Sequence, residues 1–504
     1  MNFIDRFLNK ITMYKLVLYV LIALLIAAGI LGGIGKIHYS PLAVAASALF
    51  LLAISLAANY IFAKIFEAPS NSESTYITAL ILALIVAPAA NFSGFVFLFW
   101  AAVLAIASKY ILAVGKKHLF NPAALAVAVT AFALNQSANW WIGTAWMLPF
   151  ALVGGLLIVR KIRRGDLVFS FFAATALTTL AFSIFSHANI TSIVKQAVLD
   201  SPIWFFAFIM LTEPLTTPPT KKLQVWYGAL VGILFAPQMH LGAFYFTPEM
   251  ALLTGNVFSY LVSPKRKLLL KFQDKIRLTP NTYDFIFQTI KPMDFEPGQY
   301  LEWTLAHRSP DNRGSRRYFT IASAPTEPEL RLGIKFYNPA SSYKRSLYDM
   351  QPGDVIVASQ LAGDFVLPKD PRQKLVFIAG GIGITPFRSM IKYLLDVQQR
   401  RPITLFYANR TADEIAYKDL LDQAAKQLGI KIIYILTDRA RIPAGWRGYV
   451  GHITPDLIGR EVPDYAERTF MLSGPQAMIN GFTKTLNSMG LAKKQVKTDY
   501  FPGF

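Results

Sequence analysis

The stretch RRYFTIASAP, residues 316–325, determines how the C-terminal half of the chain is interpreted. It is typical of a strand that faces a ligand. Arg317 can neutralise a diphosphate, and Tyr318 or Phe319 can offer an aromatic face to a planar ring. Thr320 can give its hydroxyl to a ring nitrogen. These residue types indicate a flavin-binding strand, and an ordinary barrel strand is the alternative if the stretch is taken alone.

Three further stretches in this half suit phosphate and dinucleotide groups. In ASSYKRSL, 340–347, small residues precede a helix start whose backbone N–H groups can face phosphate, although an ordinary helix cap has the same pattern. GGIGITP, 380–386, follows the strand-like KLVFIA, and its glycines let the backbone approach a pyrophosphate. SGP, 473–475, also ends a strand. Because ligands of open α/β sheets bind at the carboxyl ends of strands, both glycine motifs are expected at one cleft.

In this order, and followed by the terminal DYFPGF, the motifs resemble the ferredoxin–NADP reductase family over 266–504. The resemblance implies an NAD(P)H-dependent FAD oxidoreductase in which hydride passes from NAD(P)H to FAD. It also implies an antiparallel β-barrel FAD domain at 265–370 and an α/β parallel-sheet nucleotide-binding domain at 371–504. By motif, the cofactor-binding residues are Arg317, Tyr318, Phe319, Thr320, Ser341, Ser342 and Tyr343 for FAD, and Gly380, Gly381, Gly383, Thr385, Pro386, Ser473, Gly474 and Pro475 for the dinucleotide.

The end of the chain and one charged loop complete this set. The resemblance makes Thr320 and Phe504 the expected catalytic residues. Phe501 and Phe504 match a terminal aromatic motif that covers the flavin until nicotinamide displaces it. Phenylalanine stands at 319 and 504 where the family often has tyrosine, so stacking is retained without a phenolic hydrogen bond. Arg410 can meet a 2′-phosphate or belong to a charged surface loop, and the choice between NADH and NADPH stays open.

Composition indicates that the first half uses lipid as its solvent. The 504 residues are 54% hydrophobic and only 16% charged, with a mean hydropathy of +0.38, which is unusual for a soluble enzyme. The net charge of +20 would suit a nucleic-acid partner, but the basic residues of the first half gather in alternate loops, as membrane topology requires, so no nucleic-acid partner is expected. The absence of cysteine excludes disulfides, thiolate-bound iron–sulfur clusters and Cys-type zinc sites, and no metal site is expected.

Apolar stretches predict an α-helical polytopic membrane domain of about ten spans over 1–264. Several are shorter than the roughly 20 residues that cross a bilayer, so broken or re-entrant helices are expected among them. The alternation of basic loops predicts a multi-pass protein of the cell (plasma) membrane with cytoplasmic N- and C-termini. The stretches are 16–34, 41–63, 75–90, 92–113, 121–136, 143–159, 167–186, 202–213, 223–236 and 249–262.

Four short segments contain residues that a lipid-facing helix does not require. They are SESTYITALILALIVAP (72–88), KHLFNPAALAVAV (117–129), LVGGLLIVRKIRR (152–164) and LTEPLTTPPT (211–220). In this order they resemble a family of membrane proteins that is shared by the Na⁺-translocating NADH:quinone reductase and the Rnf complex.

This second resemblance implies a redox-active domain that could hold FMN or accept a quinone. The family attaches FMN to a Ser/Thr-Gly-Ala-Thr stretch, but the corresponding loop here reads SHANITSIVKQAVLDSP. A non-covalent flavin is therefore expected if FMN is bound. The candidates for lining this site are Asn121, Thr212, Glu213 and Thr216.

The leading function is a membrane-bound reductase that passes electrons from cytoplasmic NAD(P)H via FAD into the membrane domain. The final acceptor is open among a quinone, a second flavin and an extracytoplasmic flavoprotein, and further subunits are possible partners. One alternative is a haem-containing ferric-reductase or NADPH-oxidase type, which needs histidine pairs within the spans. Another is a transporter with a regulatory nucleotide-binding domain. The histidines of the first half lie one per region, at positions 38, 118, 187 and 240.

Overall fold

The chain forms two compact units, with the second beginning at Leu268. In this computed structural model, the described residues are 8, 11–66, 72–114, 117–186, 189–242, 244–262, 268–289, 293–307, 311 and 315–499.

The first unit is helical, and each of the ten predicted apolar stretches contains a helix. The helix α8 has no counterpart among those stretches. The elements are α1 (Met13–Gly33), α2 (Pro41–Ile65), α3 (Ser72–Ile85), α4 (Phe92–Ile111), β1 (Ala113–Val114), β2 (Lys117–His118), α5 (Pro122–Leu134), α6 (Leu148–Ile162), α7 (Gly165–Phe185), α8 (Ile190–Leu199), α9 (Ile203–Phe205, continued by a π-helix, Phe206–Met210), α10 (Lys221–Phe235), β3 (His240–Leu241), β4 (Phe244–Tyr245) and α11 (Pro248–Val262).

Four helices in the described part of the chain, α1, α2, α4 and α7, are long and apolar enough to cross a membrane. A fifth crossing is possible if α8 and the segment Ile203–Met210 act as one span, although they meet at a bend of 58°. Helices α3 and α5 are apolar but shorter. The expected count of ten spans, with broken or re-entrant helices among them, therefore stays a prediction.

Polar groups mark where the helices of this unit begin and end. Asn121 caps α5, because its Oδ1 accepts a hydrogen bond from the amide of Ala124 at 3.0 Å, and Pro122 occupies the first turn. Helix α3 ends early at Ile85. The indole Nε1 of Trp141 donates to the carbonyls of Ala83 and Val86, each at 3.0 Å. These contacts satisfy the end of a short helix within the protein, as an apolar solvent requires.

Helices α7 and α10 pack at close range because α10 carries glycines one turn apart. A Cβ on Gly228 would lie 2.5 Å from the carbonyl oxygen of Leu167, and a Cβ on Gly232 would lie 2.5 Å from that of Phe171. Small residues at this spacing let two backbones approach without the side chains between them. The hydroxyl of Thr175 adds a hydrogen bond of 3.0 Å to the carbonyl of Gly232.

The second unit begins with a six-stranded antiparallel sheet of order β8-β7-β10-β5-β6-β9. Its core contains Phe285, Phe287 and Trp303, all fully buried. The elements are β5 (Leu268–Thr279), β6 (Thr282–Thr289), β7 (Tyr300–Thr304), β8 (Arg316–Thr320), β9 (Glu329–Lys335), α12 (Ser342–Tyr348) and β10 (Val355–Ala362).

A parallel sheet follows, of order β14-β13-β12-β11-β15-β16, and the predicted fold class is confirmed. The apolar strand β11 lies at the centre, and consecutive strands leave it first on one side and then on the other. The elements are β11 (Leu375–Gly380), α13 (Thr385–Asp396), β12 (Ile403–Asn409), α14 (Lys418–Leu428), β13 (Lys431–Leu436), β14 (Tyr449–Val450), α15 (Pro455–Glu461), β15 (Thr469–Ser473), α16 (Gln476–Ser488) and β16 (Val496–Thr498).

Candidate functional site

The strand β8 presents the RRYFT residues alternately to its two faces. Arg317 and Phe319 both turn to Tyr343: the guanidinium lies 5.0 Å from the centre of that ring, and the Phe319 ring lies 6.0 Å from it. Tyr318 turns the other way and donates its hydroxyl to Glu302 Oε2 at 2.8 Å. The strand therefore brings Arg317 and Phe319 to one face, whereas Tyr318 is held against a buried carboxylate.

Arg317 pairs with a carboxylate in this structure. Its Nη2 lies 3.0 Å from Asp311 Oδ1, and the backbone N–H of Ser342 donates to Asp311 Oδ2 at 3.2 Å. The Ser342 hydroxyl accepts from the Asp311 amide at 2.9 Å and lies 3.0 Å from His307 Nε2. The Asp311 carboxylate thus accepts hydrogen bonds from a guanidinium and a backbone amide. The same two donors can bind the oxygens of a phosphate. These residues fit the diphosphate of FAD.

The remaining residues predicted at the flavin have other surroundings. Tyr343 is fully buried, and its hydroxyl donates to the carbonyl of Trp303 at 3.2 Å. Burial raises the pKa of Tyr343 above its ordinary range. Its ring supports Arg317 from beneath. Ser341 caps α12 through a bond of 3.3 Å from the Lys344 amide, and Thr320 is buried at the end of β8.

The two glycine motifs meet at the carboxyl edge of the parallel sheet. Strands β11 and β15 are neighbours in that sheet, and they lie where the strand order reverses, which is where open α/β sheets bind ligands. A Cβ on Gly383 would lie 2.4 Å from the carbonyl oxygen of Ser473, and one on Gly474 would lie 3.1 Å from the amide nitrogen of Gly380. The backbones of GGIGITP and SGP are therefore in direct contact, and a side chain at 383 would fill the space between them.

The residues beside these motifs lie at the same edge of the parallel sheet. Gly381 has a left-handed φ of +53° with open space at its Cβ position. Thr385 and Pro386 form the first turn of α13 and are buried, while Pro475 precedes α16. Arg410 is exposed directly after β12. The glycine backbone, the turn and the helix start together fit the pyrophosphate of a dinucleotide.

Asp499 is the last described residue, and it joins this edge. Ser473 donates its hydroxyl to Asp499 Oδ2 at 3.0 Å. Burial raises the pKa of Asp499 to about 7, and the bond from Ser473 lowers it only in part. Phe501 and Phe504, predicted to cover the flavin, lie outside the described residues.

A polar network in the helical unit contains three of the predicted residues, and the Glu213 side chain at its centre is 23% exposed. Glu213 Oε1 lies 3.3 Å from His118 Nε2. Glu213 Oε2 accepts from Asn121 Nδ2 at 2.9 Å and from the hydroxyl of Thr216 at 3.1 Å. Thr212 is placed differently, because its hydroxyl donates to the carbonyl of Phe208, one turn earlier in the chain, at 2.7 Å. The structure thus gathers Asn121, Glu213 and Thr216, but not Thr212, around one carboxylate.

Sequence reasoning missed the continuation of this network. The amide of Asn121 donates to Asn256 Oδ1 at 2.8 Å, and Asn256 Nδ2 donates to the hydroxyl of Tyr227 at 3.2 Å. Arg164 donates to the hydroxyl of Thr217 next to this group. An asparagine and a tyrosine within apolar helices are energetically unfavourable in a membrane. This is the only feature of the sequence that could have predicted their part in the network.

Two of the histidines that the haem alternative requires have protein partners. His118 contacts Glu213, and His240 Nδ1 lies 3.0 Å from the carbonyl of Gly242. His187 lies outside the described residues. No cluster of three or more potential metal-binding side chains occurs in the described ranges.

Comparison with known proteins finds similar families for both halves of the chain. Residues 377–484 match the model of the oxidoreductase NAD-binding domain, and residues 134–264 match that of the NQR2, RnfD, RnfE family. NADH-cytochrome b5 reductase 1 of Ajellomyces capsulatus is 28% identical over 254 residues, which cover 47% of this chain and 81% of that protein. The Bacillus subtilis flavohemoprotein is 28% identical over 219 residues, which cover 42% of this chain and 53% of the relative.

The C-terminal half resembles the ferredoxin–NADP reductase family. The solved cytochrome b5 reductase domain of Ulva prolifera nitrate reductase superposes with a TM-score of 0.42 at 21% identity, over 46% of this chain and 97% of that one. Both resemblances stated from the sequence are confirmed. The chain is an NAD(P)H-dependent FAD oxidoreductase that carries a second domain similar to the NQR2, RnfD, RnfE membrane family.

Proposed function

We propose that this protein takes electrons from cytoplasmic NAD(P)H through FAD and passes them into its helical unit, from which they reach a quinone. The functional division is a membrane domain at 1–264, an FAD domain at 265–370 and a nucleotide-binding domain at 371–504. FAD, when bound, accepts hydride from NAD(P)H and releases electrons singly. Arg317 and Ser342 would hold its diphosphate, and Phe319 and Thr320 would face its ring.

The observation that carries the membrane part of this proposal is the Glu213 network. An ionisable group inside a membrane unit is costly, and it is usually retained for transport or redox chemistry. Reduction of a quinone to a quinol consumes two protons with two electrons. His118 and Glu213, 3.3 Å apart, can hold and release a proton, while Asn121 fixes the carboxylate. A proton donor within the helical unit suits a quinone that is reduced there, whereas an extracytoplasmic flavoprotein would take its protons from solvent, and FMN remains the candidate for an intermediate carrier.

The orientation in the membrane is part of the proposal. Basic residues follow the cytoplasmic ends of the proposed spans, including Lys64 at the end of α2 and Arg160, Lys161 and Arg163 at the end of α6. The positive-inside rule then places both termini in the cytoplasm and the protein in the plasma membrane. The Glu213 network, which Arg164 adjoins, lies near the cytoplasmic side in this orientation.

The test uses the full chain in detergent, with two acceptors measured separately. Ferricyanide takes electrons from the reductase domain, and a short-chain ubiquinone probes the path through the helical unit. Glu213→Gln should lower quinone-linked NADH oxidation by about 100-fold, the usual contribution of a positioned proton donor, and leave ferricyanide reduction unchanged. Asp166→Asn, an exposed carboxylate at the start of α7, is the matched control. Equal loss with both acceptors, or no loss with quinone, would refute the assignment.

Flavin content decides whether a second carrier is present. The purified chain is precipitated with acid, and FAD and FMN are measured in the supernatant and the pellet. One FAD per chain, all in the supernatant, agrees with direct transfer to quinone. Additional soluble FMN would place a non-covalent flavin in the membrane domain, and FMN in the pellet would contradict the expectation that attachment is not covalent.

A further inference from the structure

Five side chains form a closed polar ring between the antiparallel and the parallel sheet. Arg388 Nη2 donates to Glu327 Oε1 at 2.9 Å, and Arg331 Nε lies 3.5 Å from the same oxygen. Arg331 Nη1 lies 3.6 Å from Asp284 Oδ2, and Tyr417 donates its hydroxyl to Asp284 Oδ1 at 2.8 Å. The ring closes because the Arg388 guanidinium lies 5.6 Å from the centre of the Tyr417 ring. We call this set the subdomain ring.

The members come from the antiparallel and the parallel part of this unit, and three of them are nearly shielded from water, whereas the Arg331 side chain is 23% exposed. Asp284, Glu327 and Arg331 belong to the antiparallel part, whereas Arg388 and Tyr417 belong to the parallel part. The Asp284 side chain is 1% exposed, Arg388 5% and Glu327 10%. Two acidic and two basic groups balance each other, so each buried charge has a partner. Such contacts are directional, unlike an apolar interface, and they fix one geometry.

The ring is joined to both cofactor motifs through very short stretches of chain. Arg388 stands three residues after Thr385 in the dinucleotide motif, and its Nη1 donates to the carbonyl of Ala322 at 3.1 Å. The next residue, Ser389, donates to the carbonyl of Ser323 at 2.6 Å. Ala322 and Ser323 come shortly after Thr320, the last residue of β8. The start of α13 is thus tied directly to the end of β8.

A second contact brings the antiparallel sheet close to the parallel part at the same place. A Cβ on Gly333, in β9, would lie 2.6 Å from the Tyr417 hydroxyl oxygen and 2.7 Å from Thr385 Cγ2. Only glycine lets β9 approach the ring and the dinucleotide motif this closely. The close approach and the hydrogen bonds therefore fix the same relative position of the two sheets.

We propose that Arg388 is a positioning residue for hydride transfer. By holding Glu327 and the Ala322 carbonyl, it sets the distance and angle between the nicotinamide bound at α13 and the flavin bound at β8. In the reaction the hydride, a proton with two electrons, leaves the reduced nicotinamide and reaches the flavin ring, so NAD(P)H becomes NAD(P)⁺ as FAD is reduced. Arg388 touches neither reactant; it keeps the two bound groups within reacting distance.

Two readouts on the full chain in detergent test this proposal. Anaerobic stopped-flow bleaching of FAD by NADH gives the hydride-transfer rate without any membrane acceptor. Pulsed EPR between spin labels at Gln351→Cys and Gln427→Cys gives a distance between the antiparallel and the parallel part in ligand-free protein, and the absence of native cysteine leaves no background labelling. Arg388→Gln should slow bleaching by about 10- to 100-fold, because a displacement of about 1 Å has an effect of that size.

The remaining measurements separate positioning from stability. The FAD content and the affinity for NAD⁺ should stay unchanged in Arg388→Gln, the label distances should broaden, and Arg388→Lys should recover part of the rate. Lys418→Gln, which removes an exposed ion pair with Asp422 on α14, is the control. If Arg388→Gln does not fold, Tyr417→Phe, which removes one hydroxyl from the ring, takes its place.

The proposal is overturned if bleaching and label distances both match the wild type. It is also overturned if the rate falls only in proportion to lost FAD or lost NAD⁺ affinity. It rests on the reductase activity alone, so a failure of the quinone path would not affect either readout.

Discussion

The contact between the two glycine motifs gives the sharpest prediction, the effect of Gly383→Ala. The new Cβ would lie 2.4 Å from the carbonyl oxygen of Ser473 and 2.6 Å from the Cα of Gly474. Non-bonded heavy atoms prefer about 3.5 Å, so the two loops must separate by about 1 Å. The atoms in contact belong to backbone, which cannot rotate away as a flexible side chain can. Overpacking of this kind costs about 1–3 kcal/mol.

This cost should appear as lost affinity for the dinucleotide, because the pyrophosphate needs both loops at their present spacing. At about 1.4 kcal/mol per factor of ten, we expect the Kd for NAD⁺ to rise by roughly 5- to 150-fold. The KM for NADH with ferricyanide should rise in parallel, and the FAD content should stay constant. Calorimetric titration with NAD⁺ measures the first quantity directly.

Gly459→Ala is the matched control. Gly459 lies in helix α15 with no atom within 4 Å of its Cβ position, so alanine there should only favour the helix, by about 1 kcal/mol. An unchanged Kd for NAD⁺ in Gly383→Ala would refute the reasoning. A loss of FAD equal to the loss of NAD⁺ binding would do the same, because it would show that the effect is not local to the dinucleotide loops.

Three further predictions follow from the described contacts. Arg317→Lys keeps the positive charge but loses the planar guanidinium with its paired donors. The Kd for FAD, measured by fluorescence after reconstitution, should therefore rise about tenfold, because one charge-assisted hydrogen bond is lost. An unchanged Kd would show that Arg317 does not bind the diphosphate. Asp499 has a folded pKa of about 7 against an ordinary 3.8, so the native state retains a proton that the unfolded state has lost, and stability should fall as the pH rises from 4 to 7. Asp499→Asn should flatten that part of the Tm-against-pH curve, and an equally steep variant curve would contradict the raised pKa. Gly228→Ala should lower the Tm of the helical unit by separating α7 from α10, while ferricyanide reduction stays normal; a Tm equal to that of the wild type would contradict the close packing.

The sequence predicts those features whose signal is local. RRYFT forms β8, KLVFIA leads β11 into the glycine turn, and SGP ends β15 at the same edge. Each of these depends on a short run of residues in a fixed order. The helices behave likewise, because each apolar stretch contains one, although membrane crossing depends on surroundings that a hydropathy pattern does not contain.

The features that escaped prediction depend on pairing between distant segments. Tyr343 is expected at the diphosphate because it follows the two serines, but the fold buries its ring beneath Arg317 and ties its hydroxyl to Trp303, 40 residues earlier. Asp311 begins the sequence DNRG, which predicts a turn and does not predict a contact with Arg317. Asp284 and Tyr417 are 133 residues apart. No local pattern links such residues, since their contact exists only after both sheets have formed.

The subdomain ring and the Glu213 network are physically alike, because each holds charged side chains where apolar residues would be at least as stable. A buried ion pair adds little stability over a well-packed apolar contact of the same volume. An apolar interface between the sheets would bury area as effectively, but it would tolerate sliding, which hydride transfer does not. In the same way, Leu at 213 would be cheaper in a membrane unit than a carboxylate, but it could not exchange a proton. In both places charged groups stand where stability alone would not require them, and in both the proposed reaction uses what those groups provide: a fixed distance at Arg388 and a proton at Glu213.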